Sequence, residues 1–322
     1  MPAQDRRRSR AAVDIGGTFT DLVFLDEQTG RVEFQKTRTV PEDPALGVMA
    51  SVEKGGVELQ RMGLFIHGTT LGLNALLEDK GSRAALITTK GFRDVLEIGR
   101  LDRPYMYDIL YRKPRPLVPR YLRREVRERV NCRGEVLVPL DEAETRGVAR
   151  WLREQGINVF AVCLLHSYAN SAHEKRVGQI IREECPEAYV SLSHTIIQEF
   201  YEYERTASTV INATIQPVME QYLDRLWDGL SGGKFRGDFL ITRSGGGAIG
   251  YRQAKEMPVH TVLSGPAGGV QGAAYLARVL DVPNLIAIDA GGTSFDVSLL
   301  YRGEPKVRSD ARVAGYKLLL PV

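Results

Sequence analysis

The sequence contains no long hydrophobic run. Nowhere do its 322 residues approach the about 18 uncharged apolar positions of a membrane span. Cysteine is scarce: Cys132, Cys163 and Cys185 are widely spaced. They form neither a disulfide framework nor a zinc-ligand pattern, so a reducing cytoplasm is the expected compartment. Charge of one sign is not in excess, with Lys+Arg 43 against Asp+Glu 40 and a formal net charge of +3. The basic tail Asp5-Arg6-Arg7-Arg8-Ser9-Arg10 lacks the apolar core of a secretion signal. A composition 43% apolar and 26% charged excludes a wholly disordered chain, a collagen-like repeat and a coiled coil. A chain of this length exceeds one comfortable core, so more than one domain is expected.

A second basic stretch runs from Arg112 to Arg129, where eight Lys/Arg face only Glu125 and Glu128. Either basic stretch is compatible with a nucleic-acid surface. The plainer reading is a disordered tail over residues 1–10 and a solvated face over the second. No aromatic stacking pattern accompanies them, so no nucleic-acid partner is expected.

Strand and helix signals alternate along the chain. Val13-Asp14-Ile15, Thr20 to Leu25 and Val32 to Thr37 read as an antiparallel meander with a Gly turn. A helix over Ala45 to Lys54 ends at Gly55-Gly56. Leu64 to His67 reads as a short buried strand, and Thr69 to Asp79 as the helix after it. Ala84 to Thr88 is another buried strand, followed by a helix over Phe92 to Ile98. Prolines 104, 114, 116 and 119 forbid regular pairing between Leu101 and Pro119, which reads as a long ordered loop. Glu125 to Cys132 is expected as one strand. Asp141 caps a helix reaching Gln155, and Val159 to Leu165 is a continuous apolar strand of the parallel-sheet kind. A helix over Ala172 to Glu184 and a strand over Tyr189 to Leu192 follow. Glu204 to Leu230 reads as one long helix containing Pro217. A strand over Phe239 to Thr242, a small-residue helix over Gly268 to Val279 and a hairpin from Leu285 complete the pattern.

One motif occurs twice. Val13-Asp14-Ile15-Gly16-Gly17-Thr18-Phe19-Thr20-Asp21 and Ile288-Asp289-Ala290-Gly291-Gly292-Thr293-Ser294-Phe295-Asp296 both read apolar-Asp-x-Gly-Gly-Thr-x-x-Asp. Each lies between two strand signals, unlike the strand–loop–helix of a P-loop or dinucleotide fingerprint. Paired glycines permit positive φ and let a phosphate approach the backbone. Successive N–H groups in such a turn form a concave anion site. Carboxylates beside phosphates repel them unless a cation lies between. Magnesium suits that place, since it takes one or two carboxylates plus phosphate oxygens and keeps several waters. Asp14 and Asp289 are the candidate metal ligands. Gly16, Gly17, Thr18 and Thr20, with Gly291, Gly292 and Thr293, are the candidate phosphate-binding residues. Asp21 and Asp296 read either as water-positioning bases or as polar strand ends.

The duplicated hairpin resembles the phosphate-1 and phosphate-2 motifs of the actin-like ATPase superfamily. The small-residue stretch Ser264 to Ala274 stands where that superfamily has its connecting helix. Further stretches resemble the hydantoinase A/5-oxoprolinase family: His67-Gly68-Thr69-Thr70 continuing to Leu77, Ala85 to Arg100, Glu202 to Thr206, and Leu263 to Val270. The resemblance runs from about residue 11 to the end. It implies an α/β, actin-like ATPase (ribonuclease H-like) fold with mixed sheets, flanking helices and a truncated second lobe. The implied organisation is a hydantoinase/oxoprolinase N-terminal domain over 11–190 with the first hairpin. The start of a hydantoinase A domain over 200–322, incomplete at its C-terminus, would carry the second.

The family implies ATP and Mg2+ as cofactors, a small cyclic amide such as hydantoin or 5-oxoproline as substrate, and a hydantoinase B-type subunit as partner in an oligomer. Phosphorylating the ring carbonyl oxygen turns a poor electrophile into one that water can attack. On this reading Asp21, His67, Thr69 and Thr70 are the candidate catalytic residues. His67 would serve as acid/base or orient the substrate. The threonines would cap a helix, bind phosphate, or both. Arg243-Ser244-Gly245-Gly246-Gly247 is a further cleft candidate, although Gly245 departs from the Asn or Asp of many relatives. Glu204 and Arg205 either contact substrate or pair and cap the long helix. A subunit of an ATP-dependent ketone carboxylase and a non-catalytic nucleotide-dependent interaction protein are the alternatives. The chain stops soon after the second hairpin, so a fragment, a truncated product or one piece of a split enzyme is expected, with apolar surface exposed on that hairpin.

Overall fold

The computed structural model describes residues 9–100, 107–290, 295–308, 311–313 and 315–321. They divide into two compact units that are discontinuous in sequence. The first draws on Met1–Asn74, Val218–Ser309 and Leu320–Val322, the second on Ala75–Pro217 and Asp310–Leu319. The expected tail falls mostly on residues 1–8, outside the described residues. Ser9 and Arg10 already belong to the first strand.

The first unit is built on a six-stranded mixed sheet. Ser9–Ile15, Phe19–Asp26 and Val32–Arg38 form the expected antiparallel meander. Met62–Thr69 adds parallel to the first strand, Asp238–Thr242 parallel to that one, and Ala248–Gly250 closes the far edge antiparallel. Burial alternates strictly along Ser9–Ile15, with Ala11, Val13 and Ile15 inside and Asp14 outside. This is the period of a strand with one covered face. The long helix Glu202–Gly232 contributes Met219, Tyr222, Leu223, Leu226 and Leu230 to the core, at the three- and four-residue spacing of one helical face. Phe65 meets Phe235 and Phe239 edge-on at centroid distances of 6.4 and 5.7 Å.

Gly237 sits where the chain passes against the backbone of Gly63: an added Cβ would lie 2.4 Å from the Gly63 carbonyl oxygen. Backbone atoms cannot rotate aside. We therefore expect Gly237→Ala to destabilise the chain by about 1–3 kcal/mol, measured as a lower urea midpoint at unchanged slope.

The same unit carries the second hairpin, Leu285–Ala290 with Phe295–Tyr301, extended by Glu304–Pro305. The helix Ser264–Val279 packs Ala274 and Ala277 on Leu300, with Leu285 and Ala287 alongside. It also touches Met62–Thr69 and Asp238–Thr242 of the large sheet. The opposite face of the hairpin presents Ile286, Ile288, Phe295, Val297 and Leu299, all exposed.

The second unit has a four-stranded, wholly parallel sheet in the order Tyr189–Leu192, Val159–Cys163, Ala84–Thr89, Arg123–Val126. The two central strands are buried at every residue, the signature of a sheet covered on both faces. Helices Glu142–Glu154 and Ala172–Glu184 and the first half of the long helix share this core. Asp141 caps the first of these, its carboxylate accepting the Glu144 N–H at 2.9 Å.

Several boundaries differ from the sequence expectation. The expected strand over Glu125 to Cys132 is two short strands, Arg123–Val126 and Arg129–Val130, belonging to different sheets. The helix after His67 begins only at Leu71, because Thr69 is still paired with Ile15. The helix expected from Phe92 is shorter, Val95–Ile98. The small-residue helix starts earlier, at Ser264, since Pro266 falls within its first turn, where no intrahelical N–H is required. Residues 107–116 have no regular structure, as the prolines require.

Candidate functional site

The first hairpin turns through Gly16-Gly17-Thr18, closed by the Gly16 N–H donating to the Phe19 carbonyl at 2.9 Å. Neither glycine adopts positive φ. Their contribution is the missing side chain, which leaves the tip open, and not the left-handed backbone expected. Thr39, one residue past the strand Val32–Arg38, braces the turn. Its hydroxyl donates to the Gly16 carbonyl at 2.8 Å, and its N–H to the Thr18 carbonyl at 3.0 Å. Thr20 is wholly buried, its hydroxyl 3.3 Å from that of Thr39, so it supports the turn from inside.

Asp14 and Asp21 stand directly opposite each other across the two strands. Asp289 and Asp296 do the same in the second hairpin. Like charges at facing sheet positions repel and are ordinarily disfavoured. Here they recur in both copies. The Asp14 carboxyl is raised above its ordinary pKa by burial first, then by Asp21, then by Asp289. The second hairpin's acid is thus close enough to be felt by the first. Asp21 is held by Lys36, whose Nζ lies 2.8 Å from Oδ1. Gly291, Gly292 and Thr293 lie outside the described residues.

Asp14 lies in a notch made by two glycines. A Cβ on Gly68 would stand 2.7 Å from Asp14 Oδ1, and one on Gly265 3.2 Å from it. Gly68 is the parallel-strand partner of Asp14, and Gly265 lies in the first turn of the small-residue helix. Any side chain at Gly68 would push the carboxyl out. Thr70 stands beside this notch, its methyl 3.5 Å from the place a Gly265 Cβ would take. Its hydroxyl donates to the Ile15 carbonyl and accepts from Asn74 Nδ2.

The remaining candidates face inward. His67 is completely buried. Its Nδ1–H donates to the Val13 carbonyl at 3.1 Å, which leaves Nε2 to accept the Tyr222 hydroxyl at 2.7 Å. Burial pushes its pKa down to about 4, so the ring is neutral. An acid/base role for His67 has no route to solvent in this arrangement. Tyr222, also buried, is raised well above its ordinary value by the same desolvation. Thr69 is buried too. Its N–H donates to Ser264 Oγ, which donates back to the Thr69 carbonyl, tying strand to helix.

Gly245 has a packing reason: an added Cβ would lie 2.6 Å from Pro321 Cβ. Gly246 and Gly247 take φ of +88° and +72°, which only glycine tolerates easily. Glu204 and Arg205 are both committed within their own unit. Glu204 accepts a two-pronged bond from Arg100 at 2.8 Å. The Arg205 guanidinium is buried against Ser167, Ser193 and the Leu164 carbonyl. Among the described residues no group of three or more His, Cys, Asp or Glu gathers to hold a metal unaided. Sequence reading missed Thr39, Gly68, Gly265, Ser264 and Tyr222 as parts of the site. Only Gly68 and Gly265 carried a signal, as residues without side chains beside the acidic motif.

A mixed α/β unit with paired acidic hairpins and a small-residue helix between them defines an ATPase-type fold, and its solved neighbours agree. The structure of acetone carboxylase described as nucleotide-free matches at TM-score 0.89 and 33% identity, covering 98% of this chain and 47% of that one. These are actin-like ATPase-type folds. The chain belongs to the hydantoinase/oxoprolinase family: residues 10–185 match the hydantoinase/oxoprolinase N-terminal region, and residues 205–322 the hydantoinase/oxoprolinase domain. An uncharacterized protein of Methanocaldococcus jannaschii is 39% identical over 95% of this chain and 45% of its own length. Caprolactamase subunit alpha of Pseudomonas jessenii is 33% identical over 98% of this chain and 47% of its own length. The chain thus spans about half the length of the curated relatives it matches.

Proposed function

We propose that this chain is the phosphate-gripping part of an ATP-dependent hydrolase that opens cyclic amides by phosphorylating the ring carbonyl oxygen. The observation that carries the reading is the duplicated pair of facing aspartates, with Asp14 seated in a notch that glycine alone leaves open. Such carboxylates, crowded together and, at Asp14, raised in pKa, fit a hard cation carrying phosphate oxygens better than they fit each other. Asp14 and Asp289 would hold magnesium. When bound with ATP it would neutralise charge on the phosphates.

The Gly17 and Thr18 N–H groups of the open tip, with those of the counterpart Gly291-Gly292-Thr293, would reach those phosphates, while the Gly16 N–H closes the turn on Phe19. Thr20 and Thr69 would hold the turn and strand in place, and Thr70 would border the phosphate site. Asp21, held by Lys36, would accept the proton of the attacking water once Lys36 moves aside. His67 would act as a positioning residue, fixing the Val13 carbonyl and so the adjoining Asp14. A hydantoinase B-type subunit would complete an oligomeric enzyme in the cytoplasm. Three free cysteines support that compartment, and no described helix is long and apolar enough to cross a membrane.

The acetone carboxylase neighbour favours a second reading, a subunit of an ATP-dependent ketone carboxylase. The intact protein with its partner should release ADP or AMP from ATP when given hydantoin or 5-oxoproline. Turnover dependent on a ketone and bicarbonate instead would establish the carboxylase, and turnover with neither would reject both.

A further inference from the structure

The parallel sheet of the second unit has a point at which its connections diverge. After Ala84–Thr89 the chain moves to Arg123–Val126 on one side, and after Val159–Cys163 to Tyr189–Leu192 on the other. The carboxyl ends of the two central strands lie between connections that run opposite ways. Open parallel sheets bind small molecules at such a place. Its floor is tied down. The Leu165 N–H donates to Thr89 Oγ1 at 2.9 Å, and Thr89 donates to Glu128, whose other oxygen lies 2.9 Å from His173 Nδ1.

His166 comes directly after Leu165. Its φ is +56°, a strained setting for a residue with a side chain. The other described residues of this kind, Asp79, Lys234, Asp281 and Arg302, are all exposed. His166 is half-buried and follows a central strand. Burial, the largest influence, holds its pKa below the ordinary value, so the ring is neutral at pH 7. The Tyr168 hydroxyl lies 3.2 Å from Nδ1, while Nε2 has no partner among the described residues. The Glu202 carboxylate, half-buried at the start of the long helix, has no hydrogen-bond or ion-pair partner among them either. It is near enough to His166 to oppose the lowering of its pKa. Phe200, two residues before it, is exposed and stacks on Tyr201 with ring centroids 4.2 Å apart.

We propose that this end of the sheet binds the cyclic amide through His166 and Glu202, an assignment that rests on the ring-opening reading above. With the Tyr168 hydroxyl donating to Nδ1, Nε2 carries a hydrogen and donates to the ring carbonyl oxygen. Glu202 accepts the ring N–H. A donor beside an acceptor suits a ring in particular. Closure into a small ring holds the amide cis and puts its C=O and N–H on one edge, whereas an open-chain amide is trans and turns them apart. Phe200 offers an aromatic face to the planar ring. Strain at His166 is then the cost of aiming its ring at a ligand.

The test is calorimetric titration of the intact protein, without nucleotide, with hydantoin and with its N,N′-dimethyl derivative. Wild type should bind hydantoin, and the dimethyl ring, which has no N–H, at least tenfold more weakly. Glu202→Ala should lose at least tenfold in hydantoin affinity and no longer distinguish the two rings. His166→Gly should lose a similar factor yet melt at a higher temperature, because glycine adopts φ of +56° without strain. Glu202→Ala changes only a helix end, which keeps the test open should the His166 variant fail to fold. No hydantoin binding by wild type, no preference for it over the dimethyl ring, or equal binding by wild type and both variants would each overturn the site. ATP turnover driven by hydantoin alongside any of these would leave the hydrolase reading standing. Turnover driven only by ketone and bicarbonate, with hydantoin binding that both variants weaken, would overturn that reading and uphold the site.

Discussion

Replacing Asp14 with asparagine is expected to abolish magnesium–ATP binding while making the ligand-free chain more stable. The two effects share one cause. Asp14 faces Asp21 across the sheet and feels Asp289, and its carboxyl is raised above the ordinary value by burial first and then by these charges. A carboxyl whose pKa is raised on folding holds its proton more tightly in the folded chain than in the unfolded one. Its ionisation therefore costs stability, and the cost grows as pH rises from the ordinary value, 3.8, through the raised one. At neutral pH the penalty is complete. The neutral amide of the variant would remove it.

The gain is bounded by facing like-charge pairs, about 0.2–1 kcal/mol, because the residue is partly solvated. In a unit of this size that is about 2–4 °C per kcal/mol in melting temperature. Truncating a charge that holds a buried opposite charge costs about 2–5 kcal/mol, or roughly 30-fold to several-thousand-fold in affinity. Melting curves and nucleotide titration of the intact protein read both. A variant that binds magnesium–ATP as wild type does would remove Asp14 from the site. Gly68→Ala should reproduce the binding loss with the carboxylate still present, since its Cβ would displace Oδ1.

The second large effect concerns His67 and has the opposite dependence on acid. Its pKa is about 4 in the folded chain against an ordinary 6.5, because the ring is desolvated. Between these values the unfolded chain binds a proton that the folded chain refuses. Stability is therefore complete above pH 6.5 and is lost as pH falls toward 4, by roughly 3 kcal/mol at about 1.4 kcal/mol per pKa unit. His67→Asn should lower stability at pH 7, since the buried Tyr222 hydroxyl loses its acceptor, and should flatten the slope between pH 6.5 and 4. Urea unfolding at a series of pH values measures both. An unchanged slope would mean that His67 is solvated. Nucleotide binding by His67→Asn should weaken less than by Asp14→Asn, because the ring touches Val13 and Tyr222 and reaches Asp14 only through the strand backbone.

The hairpins were legible because their chemistry is local. A strand, two residues without side chains and an acid on each flank fall within nine consecutive positions. The strand was legible only from Val13, because Ser9 and Arg10 read as tail; the alternation that turns Asp14 and Val13 to opposite faces along Ser9–Ile15 came with the structure. The inward set was not legible. Thr20, His67 and Thr69 are polar residues in strands, and polarity ordinarily marks the wet face. Their burial depends on Thr39, Tyr222 and Ser264, which are distant in sequence and supply the hydrogen bonds that make it tolerable. The same holds for Glu204 and Arg205, whose partners lie on other elements.

By itself the sequence determined the strand–turn–strand of each acidic motif, the antiparallel meander, the doubly covered strand at Val159–Cys163 and the family. Each is written in residue spacing and in steric rules that act over a few residues. Tertiary structure alone decided that Gly68 and Gly265 form the notch for Asp14 and that His67 is dry. Those outcomes turn on strand register and on close packing between distant segments, where a few tenths of an ångström separate a contact from a clash.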